Sequence, residues 1–242
     1  MTTTFEDLGL SFPLFKAPID KASDYQGEQL CDLCSTEKPH CFMLSIGADI
    51  VVECPSCQTK NGLDADDRED MPCVNCDEII EFPIESDDEL HGCYACVRSG
   101  KAAMTQDTEL GMIRYEDAQA GLTHGRPDLD TVQNAEVEDK AKLNKDDMME
   151  LVTTPTYMTM QGERWLFCCQ KPMIYLGEWT AKDFESRTPD GDALSYFKTV
   201  VEGCDRMYFE DGLEGIFRSG RTVVYAFECQ ICAAHRAGHD TD

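Results

Sequence analysis

Basic residues are scarce. The 242-residue chain carries 21 Lys and Arg against 47 Asp and Glu, a formal net charge of −26. Phosphate backbones and anionic membranes are held through basic surface, so neither nucleic acid nor membrane is expected as a direct partner. No run of eighteen apolar residues occurs, which excludes a membrane-spanning helix. The opening Met-Thr-Thr-Thr-Phe-Glu-Asp lacks a basic stretch followed by an apolar one. No secretory signal is read there, and a cytoplasmic location is expected. Also missing are His-Glu-x-x-His, Gly-x-Ser-x-Gly and a phosphate-cradling Gly-rich loop. His40, His91 and His124 have no partner at a periodic spacing, so the chain does not read as an enzyme.

Cysteine, in contrast, is abundant. Ten of the fourteen cysteines fall in five Cys-x-x-Cys pairs: Cys31/Cys34, Cys54/Cys57, Cys73/Cys76, Cys93/Cys96 and Cys229/Cys232. A disulfide framework has no reason to repeat a two-residue gap. Two thiolates at i and i+3 on a tight turn converge on one tetrahedral zinc, and a second pair completes the shell. Thioredoxin-like redox chemistry is the competing reading, but no pair stands out in a strand-to-helix setting.

The four pairs before residue 100 can close as two sequential, nested or interleaved sites. Ile50-Val51-Val52 leads into the second pair, and Ile79-Ile80-Glu81-Phe82 leaves the third. Strand, knuckle, loop, knuckle, strand is a zinc-ribbon layout, so the nested pairing is preferred. It places 54/57 with 73/76 inside an outer site made by 31/34 and 93/96. Two zincs are expected here, and a third at Cys229/Cys232 with Cys169 and His235 as further ligands. Adjacent strand residues face opposite sides, which predicts that only one of Cys168 and Cys169 reaches the metal. Cys41 and Cys204 stand alone and read as packing residues.

The expected fold class is α+β, a small zinc-ribbon and knuckle module joined to a β-rich C-terminal domain with a few helices. Residues 1–110 are assigned to the double knuckle module, with an extended lead-in over 1–30 and the inserted acidic ribbon at about 50–82. Residues 98–109 are helix-compatible. Residues 111–150 read as a polar linker or exposed helix, with 125–148 the stretch expected to tolerate change and proteolysis. Residues 151–242 carry the strand-like runs Arg164–Phe167, Met173–Leu176 and Thr222–Phe227, and a helical spacing from Asp192 to Cys204.

Residues 154–169 carry a recognisable block. Thr154-Pro155-Thr156-Tyr157, then Gln161-x-Glu163-x-Trp165-Leu166 and Cys169, resembles the Thr-Pro-Gly-aromatic, Trp-Gln-x-Glu-x-Trp, His-Cys block of the CbrC family. Cys31/Cys34, Cys93/Cys96 with Gly100 and Ala102-Ala103, and Cys229/Cys232 look like that family's knuckles. Met160 replaces its Trp, Cys168 stands where His is usual, and the 54/57–73/76 ribbon looks like an insertion. The resemblance implies a role in tolerance to a nuclease colicin, a toxin of bacteria.

Charge adds a second pointer. Residues 61–90 hold twelve acids and Arg68 as their one base. Acidic surface often serves solubility alone. Clustered on a rigid ribbon, Asp64, Asp66, Asp67, Glu69 and Asp70 also suit a protein partner with a basic surface. The expected function is therefore a zinc-binding immunity-type protein that neutralises a cognate toxin by direct binding. The alternative is a zinc-ribbon adaptor in a regulatory or stress-response assembly.

Overall fold

The computed structural model describes every residue except 1–2, 45–46, 86–87, 125–130, 135–136, 189–190, 208–211, 219 and 242. The chain divides into two units, Ala22–Met158 and the pair of segments Met1–Lys21 and Thr159–Asp242. Both mix small antiparallel sheets with short helices, and the fold class is α+β. Residues 1–21 fold with the C-terminal segment rather than with the knuckles that follow them, which corrects the division read from sequence.

In the 22–158 unit, β1 (Tyr25–Cys31) and β2 (Thr36–Leu44) pair around the first knuckle, ending at Cys31↔Thr36. Next come β3 (Asp49–Glu53), β4 (Lys60–Asp64), β5 (Met71–Pro72), β6 (Ile79–Ile80) and β7 (Leu90–Cys93). β7 returns to pair with β2, setting Cys41 opposite Cys93, and runs directly into α1 (Tyr94–Arg98). The helix stops there because Gly100 takes φ +73° and donates back to the Val97 carbonyl at 2.8 Å. The chain beyond it is extended as β8 (Ala102–Ala103) and β9 (Asp107–Thr108), not helical as the 98–109 pattern predicted. β8 adds to β3, giving the order β4-β3-β8.

The stretch read as a linker is largely built into this unit. β10 (Gly111–Met112) pairs with β9, and α2 (Tyr115–Ala120) buries Tyr115 and Ala118. β11 (Leu122–His124), β12 (Thr131–Asn134) and β13 (Val137–Lys142) form one sheet. α3 (Lys145–Val152) is capped by the Asn144 side chain, which accepts from the Asp146 and Asp147 N–H groups. Its apolar residues at i, i+3 and i+4, Met148, Leu151 and Val152, are fully buried. The protease-sensitive stretch expected at 125–148 lies partly outside the described residues; its C-terminal end is this helix.

In the other unit, Phe5, Phe12 and Phe15 pack ring against ring, and Phe15 meets Tyr175 at 5.2 Å. β14 (Phe167–Cys168) and β15 (Lys171–Pro172) make a two-residue-turn hairpin ahead of β16 (Ile174–Trp179). The N-terminal segment lines the edge of β16, with the Lys16 N–H on the Tyr175 carbonyl and the Tyr175 N–H on that of Leu14. Three helices follow: α4 (Ala181–Arg187), α5 (Ala193–Val200) and α6 (Gly212–Arg218). Their Phe184, Phe197 and Ile216 share one buried cluster with Trp179, Val224 and Ala237 of the sheet. β17 (Thr222–Glu228) and β18 (His235–Thr241) complete the sheet in the order β16-β17-β18. The sequence reading missed β18, taking its first residue, His235, for a metal ligand.

Candidate metal centres

Each Cys-x-x-Cys turn must bend the chain through a half-circle in four residues. Four of the five do so with the same device: the residue after the second cysteine enters the left-handed region. Ser35, Gln58, Asp77 and Ala233 have φ of 51°, 62°, 59° and 54°. Cys169 and Gln170 do likewise at 53° and 60°, so among the described residues six of the seven non-glycine residues with positive φ lie at cysteine turns. Such a backbone costs about 1–2 kcal/mol per residue. Its concentration at these turns marks them as sites held by something stronger than turn propensity. The fifth pair differs: Cys93 precedes α1 and Cys96 sits within it.

The turns bring twelve cysteines into three groups of four: Cys31, Cys34, Cys93, Cys96; Cys54, Cys57, Cys73, Cys76; and Cys168, Cys169, Cys229, Cys232. Within each, all sulfur atoms lie within 4.8 Å of one another. The pairing of the first four knuckles is nested. A tetrahedral zinc with Zn–S bonds of about 2.3 Å requires S···S edges of about 3.8 Å. The observed edges include 3.6 Å for Cys54–Cys76, 3.5 Å for Cys57–Cys73, 3.8 Å for Cys168–Cys169 and 3.7 Å for Cys168–Cys232. The residues fit the ion.

N–H and O–H groups lie against several of the sulfurs. Cys31 Sγ accepts from the Cys93 N–H at 3.1 Å. Cys73 Sγ accepts from the Asn75 N–H at 3.5 Å and from the Asn61 side chain at 3.7 Å. Asn61, fully buried on β4, also accepts from the Val74 N–H at 3.0 Å, so it ties one knuckle of the inner site to the other. Periodicity gave no signal for it. The Thr59 hydroxyl, 3.3 Å from Cys57 Sγ, leads the bonds that draw the Cys57 thiol down to about 5. Burial works against ionising Cys229, but the Cys232 and Ile231 N–H groups outweigh it and bring this thiol down to about 6. Cys41 lies outside the three groups, and burial first, then the neighbouring Cys31 and Cys93, push its thiol up to about 11.

The third group corrects two expectations. Both Cys168 and Cys169 join it, because Cys169 is not an extended strand residue. It is the first residue of a left-handed two-residue turn between β14 and β15, where period-two alternation does not operate. His235 is not a member. Its Nδ1 is 2.6 Å from the Tyr196 hydroxyl and its Nε2 is 3.3 Å from a Glu228 carboxylate oxygen.

Asp64, which ends β4, and Asp66, Asp67, Glu69 and Asp70, on the loop that follows between the two knuckle hairpins of the inner site, are all exposed. Asp64 folds the loop locally by accepting from the Asp66 N–H at 2.8 Å, and Asp70 accepts from the Phe82 N–H at 2.9 Å. The 154–165 block is a packing element. Thr156 hydrogen-bonds Asp24, Trp165 is fully buried with its indole N–H on the Met173 carbonyl, and the Gln161 amide reaches the Thr241 carbonyl.

A family model matches residues 63–241, well over half of the chain. The chain belongs to the uncharacterised protein family UPF0167. The matched span takes in Cys73/Cys76, Cys93/Cys96, the Cys168–Cys169 pair and Cys229/Cys232, while Cys31/Cys34 and Cys54/Cys57 precede it. No curated protein and no solved structure matches the chain. Among the described residues, no helix is long and apolar enough to cross a membrane.

Proposed function

We propose that this UPF0167 member is a zinc-binding immunity-type protein, which neutralises a bacterial toxin by covering its cationic cleft. The observation that carries the reading is the placement of five exposed carboxylates on a loop pinned at both ends by one four-cysteine site. A flexible acidic tail would serve solubility equally well; a clamped one presents charge in fixed positions, which steers a basic partner and excludes phosphate from it. Val74 and Ile79, 59% and 58% exposed on the adjoining hairpin, supply apolar contact beside that charge. The resemblance to the CbrC family adds the theme of colicin tolerance. Four thiolates per group fill a tetrahedral shell and leave no open position for a substrate, which favours binding over catalysis.

The test replaces Asp64, Asp66, Asp67, Glu69 and Asp70 with Lys and measures association with nuclease toxin domains, taking first any encoded beside the gene. The expected result is association slowed about tenfold or more, with the salt dependence of the rate lost. Equal rates and equal salt dependence would remove the acidic loop from the mechanism. Binding to none of these domains, with an operon of regulatory genes around the locus, would favour the adaptor reading.

A further inference from the structure

The three four-cysteine groups share donors and geometry but differ in what surrounds them. In the outer group Cys31, Cys93 and Cys96 are buried and Cys34 half-buried. In the inner group Cys54 and Cys73 are buried, Cys76 is exposed, and Val52, Leu63, Met71, Ile80 and Phe82 pack around the sulfurs. The third group reverses the balance: only Cys229 is buried, Cys168 is half-buried, and Cys169 and Cys232 are exposed.

Its hydrogen bonds are equally one-sided. Among the described residues, the backbone N–H groups donated to this cluster converge on Cys229 Sγ, from Ile231 at 3.4 Å and Cys232 at 3.5 Å. The scaffold is slight as well. Cys168 and Cys169 are chain neighbours on a hairpin with two paired positions, Phe167↔Pro172 and Cys168↔Lys171. Its two turn residues are both left-handed and neither is glycine. Opening so small an element costs little, and it withdraws two of the four ligands together. Cys73 and Cys76 of the inner group also ride on a two-position hairpin, Met71↔Ile80 and Pro72↔Ile79, but Met71, Ile80 and Phe82 pack it against that cluster. The outer group has no such hairpin, since its cysteines sit on β1–β2 and on the β7–α1 junction within one sheet.

We propose that the Cys168–Cys169–Cys229–Cys232 group is an exchangeable zinc site, loaded and emptied by thiol-bearing ligands in solution, while the outer and inner groups are permanent structural sites. Exchange is ligand substitution without electron transfer. An incoming thiolate bonds to zinc on the exposed side as Cys169 or Cys232 leaves, the remaining cysteines follow, and each freed thiolate takes a proton from water. This assignment does not depend on the toxin-binding reading.

The experiment uses the full chain, zinc-loaded and kept reduced under anaerobic conditions, mixed with the chromogenic chelator 4-(2-pyridylazo)resorcinol. One equivalent of zinc should transfer about tenfold or more faster than the rest, and added glutathione should speed that equivalent alone. N-ethylmaleimide quenching followed by peptide mass spectrometry should find Cys168, Cys169, Cys229 and Cys232 labelled in step with the fast phase. The Cys168→Ser/Cys169→Ser variant should lack that phase. Release of all zinc in one phase, or first labelling at Cys73 and Cys76, would overturn the assignment. The labelling order is read on the unaltered chain, so the result stands even where the variant fails to fold.

Discussion

Replacing Asp49 with Asn should stabilise the protein at neutral pH and leave it unchanged in acid. Asp49 opens β3, the strand that ends one residue before Cys54, and its side chain is half-buried. Burial is the main force on its carboxyl. The charges of Glu116 on α2 and Asp64 on β4 add to it, against hydrogen bonds from the Gln106 side chain and the Tyr115 N–H. The result moves Asp49 from 3.8 up to about 6. The native state thus holds this proton more tightly than the unfolded chain, and stability falls as pH rises from about 4 to about 6. Above that window both states are ionised and the loss is complete. A shift of about two units corresponds to about 3 kcal/mol. Partial exposure of the side chain lowers the expected gain to about 1–2 kcal/mol, or roughly 2–8 °C in melting temperature for a chain of this size. Thermal melts of both proteins between pH 5 and 8, with zinc in excess, give the difference curve, in which acid loss of zinc from the thiolates cancels. A difference independent of pH, or a variant less stable at pH 8, would refute the reasoning. Gly62 is part of the same crowding, because a Cβ there would lie 2.4 Å from an Asp49 carboxylate oxygen.

Two further outcomes follow from single contacts. Cys54→Ser/Cys57→Ser should lower zinc content by one equivalent and leave the outer site loaded; loss of two equivalents would show that the sites fold as one. Asp240→Ala should destabilise the unit holding the C-terminal segment by about 2–4 kcal/mol, because one carboxylate oxygen accepts from the Met160 N–H, the Gln161 N–H and the Tyr225 hydroxyl. Ultraviolet titration supplies an independent check, since burial and this same carboxylate hold the Tyr225 phenol above its ordinary value, and removing Asp240 should lower it.

Metal ligation was the most legible property of the sequence, because thiolate spacing is dictated by one ion's geometry and needs no knowledge of the fold. The nested pairing was legible for a related reason: each inner knuckle is flanked by its own strands, β3–β4 and β5–β6, and the two hairpin turns close on one site. Where local rules failed, a turn had displaced a periodicity. Cys168 and Cys169 were read by strand alternation, yet Cys169 opens a left-handed turn that breaks it. His235 sits at ligand-like spacing after Cys232, but β18 carries it toward Tyr196 and Glu228 instead. The 111–150 region looked polar because its buried apolar residues, Ile113, Tyr115, Ala118, Leu143 and Met148, are spread over short elements. The docking of residues 3–21 along β16 is a long-range pairing with no local signature at all.

The inner ribbon has a physical problem that zinc solves and that bears on its purpose. β5 and β6 have two residues each and pair only with one another, and an isolated two-stranded hairpin is marginal at best in water. The segment 61–90 adds the mutual repulsion of twelve acids, which favours any expanded state. A four-cysteine zinc contributes about 10–16 kcal/mol of folding free energy, enough to hold such a segment in one shape. Were solubility the only need, the same carboxylates could stand on a loose loop and require no metal. Holding them on a clamped hairpin pair costs four cysteines and several strained turns, and what it yields is fixed spacing between charges. Fixed spacing matters to a partner with its own fixed pattern of cations. Stripping zinc from the inner site alone should therefore weaken toxin association even though every acidic residue remains. If association is unchanged in Cys54→Ser/Cys57→Ser at low salt, net charge rather than arrangement is what the ribbon provides.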